Sequence, residues 1–97
     1  MTTVQELLTQ KYGNFIDFIV SKYPDRKDLA ESKNIDIKLI IPVLKEKILP
    51  LKHDFSLLML NMSNEFGFKT SDFNSEEVDK LKRYLKFFIK MMEEIYE

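Results

Sequence analysis

Ninety-seven residues with 15 basic and 16 acidic side chains, one His and no Cys suffice for a single hydrophobic core and leave nothing for a second. The lack of Cys excludes disulfides and thiolate metal sites, and a net charge of −1 supplies no global field that would recommend nucleic acid or an anionic membrane. Hydrophobic content of 44% beside 32% charged residues is the balance of a folded domain, not of a disordered tail.

Thr3-Val-Gln-Glu6 has the spacing of a capping box, a hydroxyl for the Glu6 amide and a Glu reaching back. Behind it Leu8, Tyr12, Phe15, Ile16, Ile19 and Tyr23 recur at steps of three and four and define one face of a helix. Gly13 weakens its middle by about 1 kcal/mol relative to Ala and marks a point where the segment could divide. Pro24 ends it, because the residue before a proline is pushed out of the α region. Asp25 to Lys33 reads as a charged connector holding a short helix capped at Asp25, with only Leu29 and Ala30 as apolar anchors.

NIDIKLIIPVLKEKILP is ambiguous. Ile35, Ile37 and Leu39 alternate with Asp36 and Lys38 as a half-buried strand would. Ile37, Ile40, Ile41, Leu44 and Ile48 fit a helix over a longer stretch, and no other segment alternates to pair with a strand, so helix is expected. Pro42 then kinks it or, more simply, sits in its first turn, where a missing N–H costs nothing. A further helix is expected from Pro50 to about Phe66, with Leu51, Phe55, Leu58 and Met62 on one stripe and Gly67 as its stop. Phe68 to Phe73 is a loop whose two aromatics fold back onto the bundle. Asn74 and Glu77 start the last helix, with Glu76, Glu77 and Asp79 placed well against the positive end of its dipole.

The whole chain, residues 1–97, therefore reads as one all-α domain, a small bundle of four to five helices, orthogonal or up-down. A chain this short has modest stability, and with no Cys to cross-link it, oligomerisation is the remaining staple.

Catalysis needs groups that titrate or attack, held together in a pocket. His53, between Lys52 and Asp54 in the first turn of a helix, is expected to be a solvated polar residue, with no serine nucleophile in a recognisable turn. No HExxH or EF-hand spacing occurs, and two isolated glycines cannot build a phosphate-binding loop. The pairs Glu76/Glu77 and Glu93/Glu94 point about 100° apart on a helix and do not converge. The chain is expected to be no enzyme and to need no cofactor or metal.

Two features of the C-terminal segment VDKLKRYLKFFIKMMEEIYE remain. Lys80, Lys82, Arg83, Lys86 and Lys90 put five bases into eleven residues without an acid, on the side facing away from the apolar stripe. They form a candidate ridge for nucleic acid or another anion; Lys45, Lys47 and Lys52 would extend it if the fold brings them near. The apolar residues of the same helix, Val78, Leu81, Leu85, Phe88, Met92 and Ile95 with Tyr84, Met91, Ile89, Tyr96 and Phe87, spread over about 200°, roughly twice the arc one core requires. A second chain is therefore expected on Tyr84, Phe87, Phe88, Met91 and Ile95.

The function expected is a small non-enzymatic interaction or regulatory module, acting as a homodimer or docking on a larger protein. The alternative is a nucleic-acid-associated accessory factor using the basic ridge. Lys outnumbers Arg 13 to 2 and Ala occurs once, preferences that follow AT-rich codons and suit an accessory protein of a virus or mobile element. No secretory signal is visible, and the longest run without a polar residue, Leu39 to Leu44, is far short of a membrane span. A soluble protein of the cytoplasm or nucleus is expected.

Overall fold

In the computed structural model, which describes residues 3–96, the Thr3 hydroxyl accepts the Glu6 amide at 3.0 Å and starts helix α1 (Val4–Lys22). Leu8, Tyr12, Phe15, Ile16 and Ile19 are its buried face, as their spacing predicts. Gly13 does not divide the helix, which runs through it unbroken. Pro24 does end it: Tyr23 leaves the helical region at φ −127° and ψ 71°.

The short helix of the connector is α2 (Lys27–Ser32), and Leu29 anchors it in the core. Asp25 does not cap it. Arg26 stands at the cap position without a side-chain cap bond and spreads its guanidinium outward instead. Its Nε and Nη2 donate to the Asp28 carboxylate, both at 3.0 Å, and Nη1 donates to the Gly67 carbonyl at 3.0 Å.

Asp36 accepts the Lys38 amide at 3.0 Å and opens α3 (Ile37–Ile48), which settles the ambiguous segment as helix. Ile37, Ile41, Leu44 and Ile48 are buried; Ile35 and Leu39, the outer members of the strand-like alternation, are exposed. Pro42 lies in the second turn, inside the helix rather than in its first turn. It is exposed, so water can reach the Lys38 carbonyl that its missing N–H leaves without a partner.

The next helix begins later than Pro50. Leu49–Leu51 form a 3-10 turn, Lys52 and His53 a further turn, and Asp54 accepts the Leu57 amide at 3.1 Å to start α4 (Phe55–Phe66). Gly67 stops α4 in the left-handed region at φ 67° and ψ 43°, and the Phe68 amide closes back on the Ser63 carbonyl at 3.0 Å. Phe68 and Phe73 both turn into the core, as expected, around a second 3-10 turn at Thr70–Asp72. The Tyr23 hydroxyl donates to Asp72 and accepts the Lys69 amide, which fastens this loop to the end of α1.

Helix α5 (Ser75–Tyr96) starts with both arms of a capping box. Glu77 N–H donates to Asn74 Oδ1, and Asn74 N–H donates to Glu77 Oε1, each at 2.9 Å. The same Glu77 carboxylate receives Lys22 Nζ at 2.8 Å, so the start of α5 is tied to the end of α1. Between them, α1 and α3 flank α5, and α4 packs on α3. An aromatic cluster centred on Phe15 fills the space, with the rings of Phe66, Phe88 and Tyr84 at 5.2, 5.4 and 5.8 Å between centroids.

Candidate functional site

The width of the apolar arc on α5 is consumed inside this chain. A helix packed on α1 along one flank and on α3 along the other buries two stripes, and the contacts of α5 are of that kind. Phe88 is fully buried against Phe15, and Met91 is 4% exposed. Neither can meet a second chain without opening the core, which corrects their assignment to a partner surface. Tyr84 and Ile95 are half-buried against the same core. Phe87 is half-buried under Lys11 of α1, whose Nζ lies 5.4 Å from the ring centroid.

The basic ridge does stand on the outer side of α5: Lys80, Lys82, Arg83, Lys86 and Lys90 are all exposed. Among the described residues none of the five forms a salt bridge. Lys47 and Lys52 do not add to it, since Lys47 pairs with Glu65 at 3.7 Å and Lys52 with Glu93 at 3.8 Å. Lys45 Nζ lies 4.0 Å from the ring centre of Tyr96 at the far end of α5. The addition comes from α1. Lys11 joins Lys80, Arg83, Tyr84 and Phe87 around one recess of about 350 Å³. Lys80 rests on the edge of that recess, 4.8 Å from the ring centre of Phe18, which in turn stands 6.1 Å from the Tyr84 ring.

Burial pushes the Tyr84 phenol above its usual pKa, the nearby Asp17 carboxylate adds to the rise and Arg83 opposes it. The hydroxyl is thus a neutral donor at neutral pH. Among the described residues it has no hydrogen-bond partner, and it is not sealed from solvent.

Exposed apolar side chains lie elsewhere. Leu39 is 68% exposed, Leu60 56%, Ile35 and Leu57 46% each, and Val43 39%. Ile35, Leu39, Val43 and Lys47 fall at steps of four along α3 and its lead-in, and Leu57, Asn61 and Glu65 do so along α4. The two rows meet: Asn61 Nδ2 donates to the Lys47 carbonyl at 3.2 Å, beside the Lys47–Glu65 pair. Leu51, Leu57, Leu60, Asn61 and Asn64 line a shallow recess of about 180 Å³ beside this contact, and Leu39 and Val43 stand exposed on α3, on the same row as Lys47.

His53 is exposed in the turn ahead of the Asp54 cap, rather than in the first turn of a helix. Among the described residues no three His, Asp or Glu side chains converge where they could hold a metal ion, and no helix is long and apolar enough to cross a membrane. Comparison with protein families, with curated proteins and with solved structures finds no match for this chain.

Two groups of residues escaped sequence reasoning. Lys11 joins the basic face only through the docking of α1 on α5, which no local pattern encodes. The exposed aliphatics did leave a signal. Leu57-Leu-Met-Leu60 and Leu39-Ile-Ile-Pro-Val-Leu44 are unbroken apolar runs, and neighbouring residues on a helix cannot share one face, so each run must present some of its side chains outward.

Proposed function

We propose that this chain is a non-enzymatic helical interaction module that works by self-association, with the α3–α4 face packed on the same face of a second copy. One observation supports the reading: among the described residues six large hydrophobics are exposed, Ile35, Leu39, Val43, Leu57, Leu60 and Tyr96, and the first five all belong to α3, its lead-in and α4. Exposed apolar residues scattered singly need no explanation, but a contiguous group of them marks an interaction surface.

The rim favours a second copy as the occupant. Asp36, Glu46 and Glu65 stand beside Lys38 and Lys47 on these helices. A two-fold contact sets a surface against itself, so a rim of one sign would repel its copy and a mixed rim can pair with it. A standard dimer covers about 800 Å² per partner, one modest face of a molecule with 6024 Å² of surface.

The test is the oligomeric state. Sedimentation velocity of the parent from low to high micromolar concentration should show a monomer–dimer equilibrium. Leu39→Glu and Leu60→Glu should each shift it to monomer while leaving the circular-dichroism melting temperature within a few degrees, because both side chains already face water. A parent that stays monomeric at high micromolar concentration overturns the reading, as does a dimer that neither substitution weakens.

A further inference from the structure

Ring contacts hold lysines in several places, Lys45 over Tyr96 at 4.0 Å and Lys22 over Phe73 at 5.6 Å among them, but on the basic face of α5 they gather without a carboxylate partner among the described residues. Lys22, Lys33, Lys47 and Lys52 each meet a carboxylate. Lys11, Lys80 and Lys86 instead lie over the rings of Phe87, Phe18 and Phe55 at 5.4, 4.8 and 5.9 Å. A carboxylate cancels the field of its lysine. A ring positions the ammonium and leaves its charge to act on the surroundings. With Lys82, Arg83 and Lys90, six cations without a salt bridge among the described residues stand on one side of a chain whose net charge is −1. Asp17, near Tyr84, is occupied by Lys33 at 2.7 Å, and the exposed Asp79 and Glu94 stand near the two ends of the ridge.

The chemistry fits a phosphodiester strand. At 1.5 Å per residue, Lys80 to Lys90 extends about 15 Å, long enough for more than one phosphate of an extended strand. The recess between α1 and α5 supplies four donors of the type a phosphate takes, from Lys11, Lys80, Arg83 and the unpartnered Tyr84 hydroxyl. Its volume of about 350 Å³ lies at the low end of small-ligand pockets, room for about one nucleotide. Phe87 and Tyr84 give it aromatic walls, which suit the π-face of an unpaired base. Lys11 is held over the half-buried Phe87 by an attraction of about 0.5–2 kcal/mol, weak enough to turn toward a phosphate and free the ring. The acidic side chains of a peptide would use the cations but bring no ring to those walls.

We propose that the α1–α5 face binds single-stranded nucleic acid, one nucleotide seated among Lys11, Lys80, Arg83, Tyr84 and Phe87 and the following phosphates laid along Lys86 and Lys90. This does not rest on self-association, because the surface belongs to other helices than the α3–α4 seam.

Fluorescence anisotropy with a short labelled oligothymidylate tests it. The parent should bind at low salt with log K falling against log salt at a slope of about −2 to −3.5, the value for about three to five phosphate contacts on a single strand. Lys80→Glu with Arg83→Glu should weaken binding by more than tenfold, while Lys27→Glu with Lys69→Glu, an equal change in net charge off the ridge, should weaken it far less. Phe87→Leu keeps an apolar side chain and removes the ring. It should lower affinity by about fivefold or more with the salt slope unchanged. The proposal is overturned by no binding at low salt, by equal loss in the two charge-reversal pairs, or by a duplex of the same length or poly-glutamate binding as tightly as the single strand.

Discussion

Replacing Phe88 by Ala, compared with replacing its neighbour Phe87, decides whether the broad apolar arc of α5 serves this fold or a second chain. Phe88 is fully buried and stands edge-on to Phe15, with centroids 5.4 Å apart and planes at 88°. Truncating such a ring removes its transfer energy, leaves a cavity and forfeits the aromatic pair, for a total of about 3–5 kcal/mol. Phe87 is half-buried, so its loss forfeits about 1 kcal/mol of burial and a contribution of similar size from Lys11 above it. At about 0.05–0.15 kcal/mol per residue, a chain of 97 residues has about 5–15 kcal/mol in all. Phe88→Ala therefore removes a large share of it and Phe87→Ala a small one. In urea, with a slope of about 1–1.5 kcal/mol/M, the Phe88 change lowers the unfolding midpoint by about 2–5 M. Urea titration of the three proteins, followed by circular dichroism, measures both. Equal midpoint losses in the two variants would refute the reasoning. So would a Phe88→Ala protein as stable as the parent but altered in oligomeric state, which would return Phe88 to a partner surface.

A Cβ added at Gly13 would meet nothing within 4 Å, and α1 runs straight through it. Gly13→Ala should therefore raise stability by up to about 1 kcal/mol and the melting temperature by about 4–8 °C, read by calorimetry; a fall would show that the open space is occupied. Gly67 is the opposite case, at φ 67° and with Arg26 Nη1 only 2.6 Å from where a Cβ would stand. Gly67→Ala should cost about 1–2 kcal/mol for the left-handed backbone and displace Arg26 from the Gly67 carbonyl. Gly67→Asn, which tolerates that backbone better, should cost less; an equal cost would assign the loss to Arg26 instead. Lys22, followed by the Asn74 amide, holds the Glu77 carboxyl below its usual pKa. A depressed carboxylate adds stability that is full above the unfolded value, about 4.3, and fades as pH falls through the folded one. The melting temperature of the parent should then drop more steeply below about pH 4.3 than that of Glu77→Gln, and coincident curves would contradict the tie.

Local chemistry carried most of the fold. The steps of three and four in α1 named its buried face residue by residue, Gly67 was legible as a stop because few other residues tolerate its backbone, and Asn74 and Glu77 announced the start of α5. Where local chemistry failed, a neighbour or a competing turn had decided. Pro50 satisfies the rule for a helix start equally well as a 3-10 turn, and Asp54 four residues on captured the α4 start with a bond to the Leu57 amide. Pro42 was placed in a first turn on the rule that its missing N–H costs least there, but its exposed position lets water take over the freed carbonyl, so the helix could start five residues earlier. The wide arc of α5 was legible as two contacts, though not as contacts with α1 and α3. Sequence periodicity gives the directions in which a helix must be covered and is silent on what covers them. The exposure of Leu39 and Leu60 followed from the unbroken runs around them, once those runs are read for the angle they subtend and not only for their length.

The two proposed surfaces make one joint prediction, because their charges differ. Copies meeting through α5 would set Lys80, Lys86 and their neighbours against like charge. Copies meeting through α3 and α4 set mixed rims together and leave the basic face of each turned outward. A dimer of that kind carries two ridges, and a strand long enough to reach both binds the second at the effective concentration set by the length between them, not at the bulk concentration. Lengthening the oligothymidylate should therefore raise affinity well beyond the increase in the number of sites, and only above a threshold length. Leu39→Glu should erase that gain and leave short-strand affinity intact, while Lys80→Glu with Arg83→Glu should lower both. A gain that survives Leu39→Glu would break the link between the surfaces, since a monomer has one ridge and nothing to bridge to.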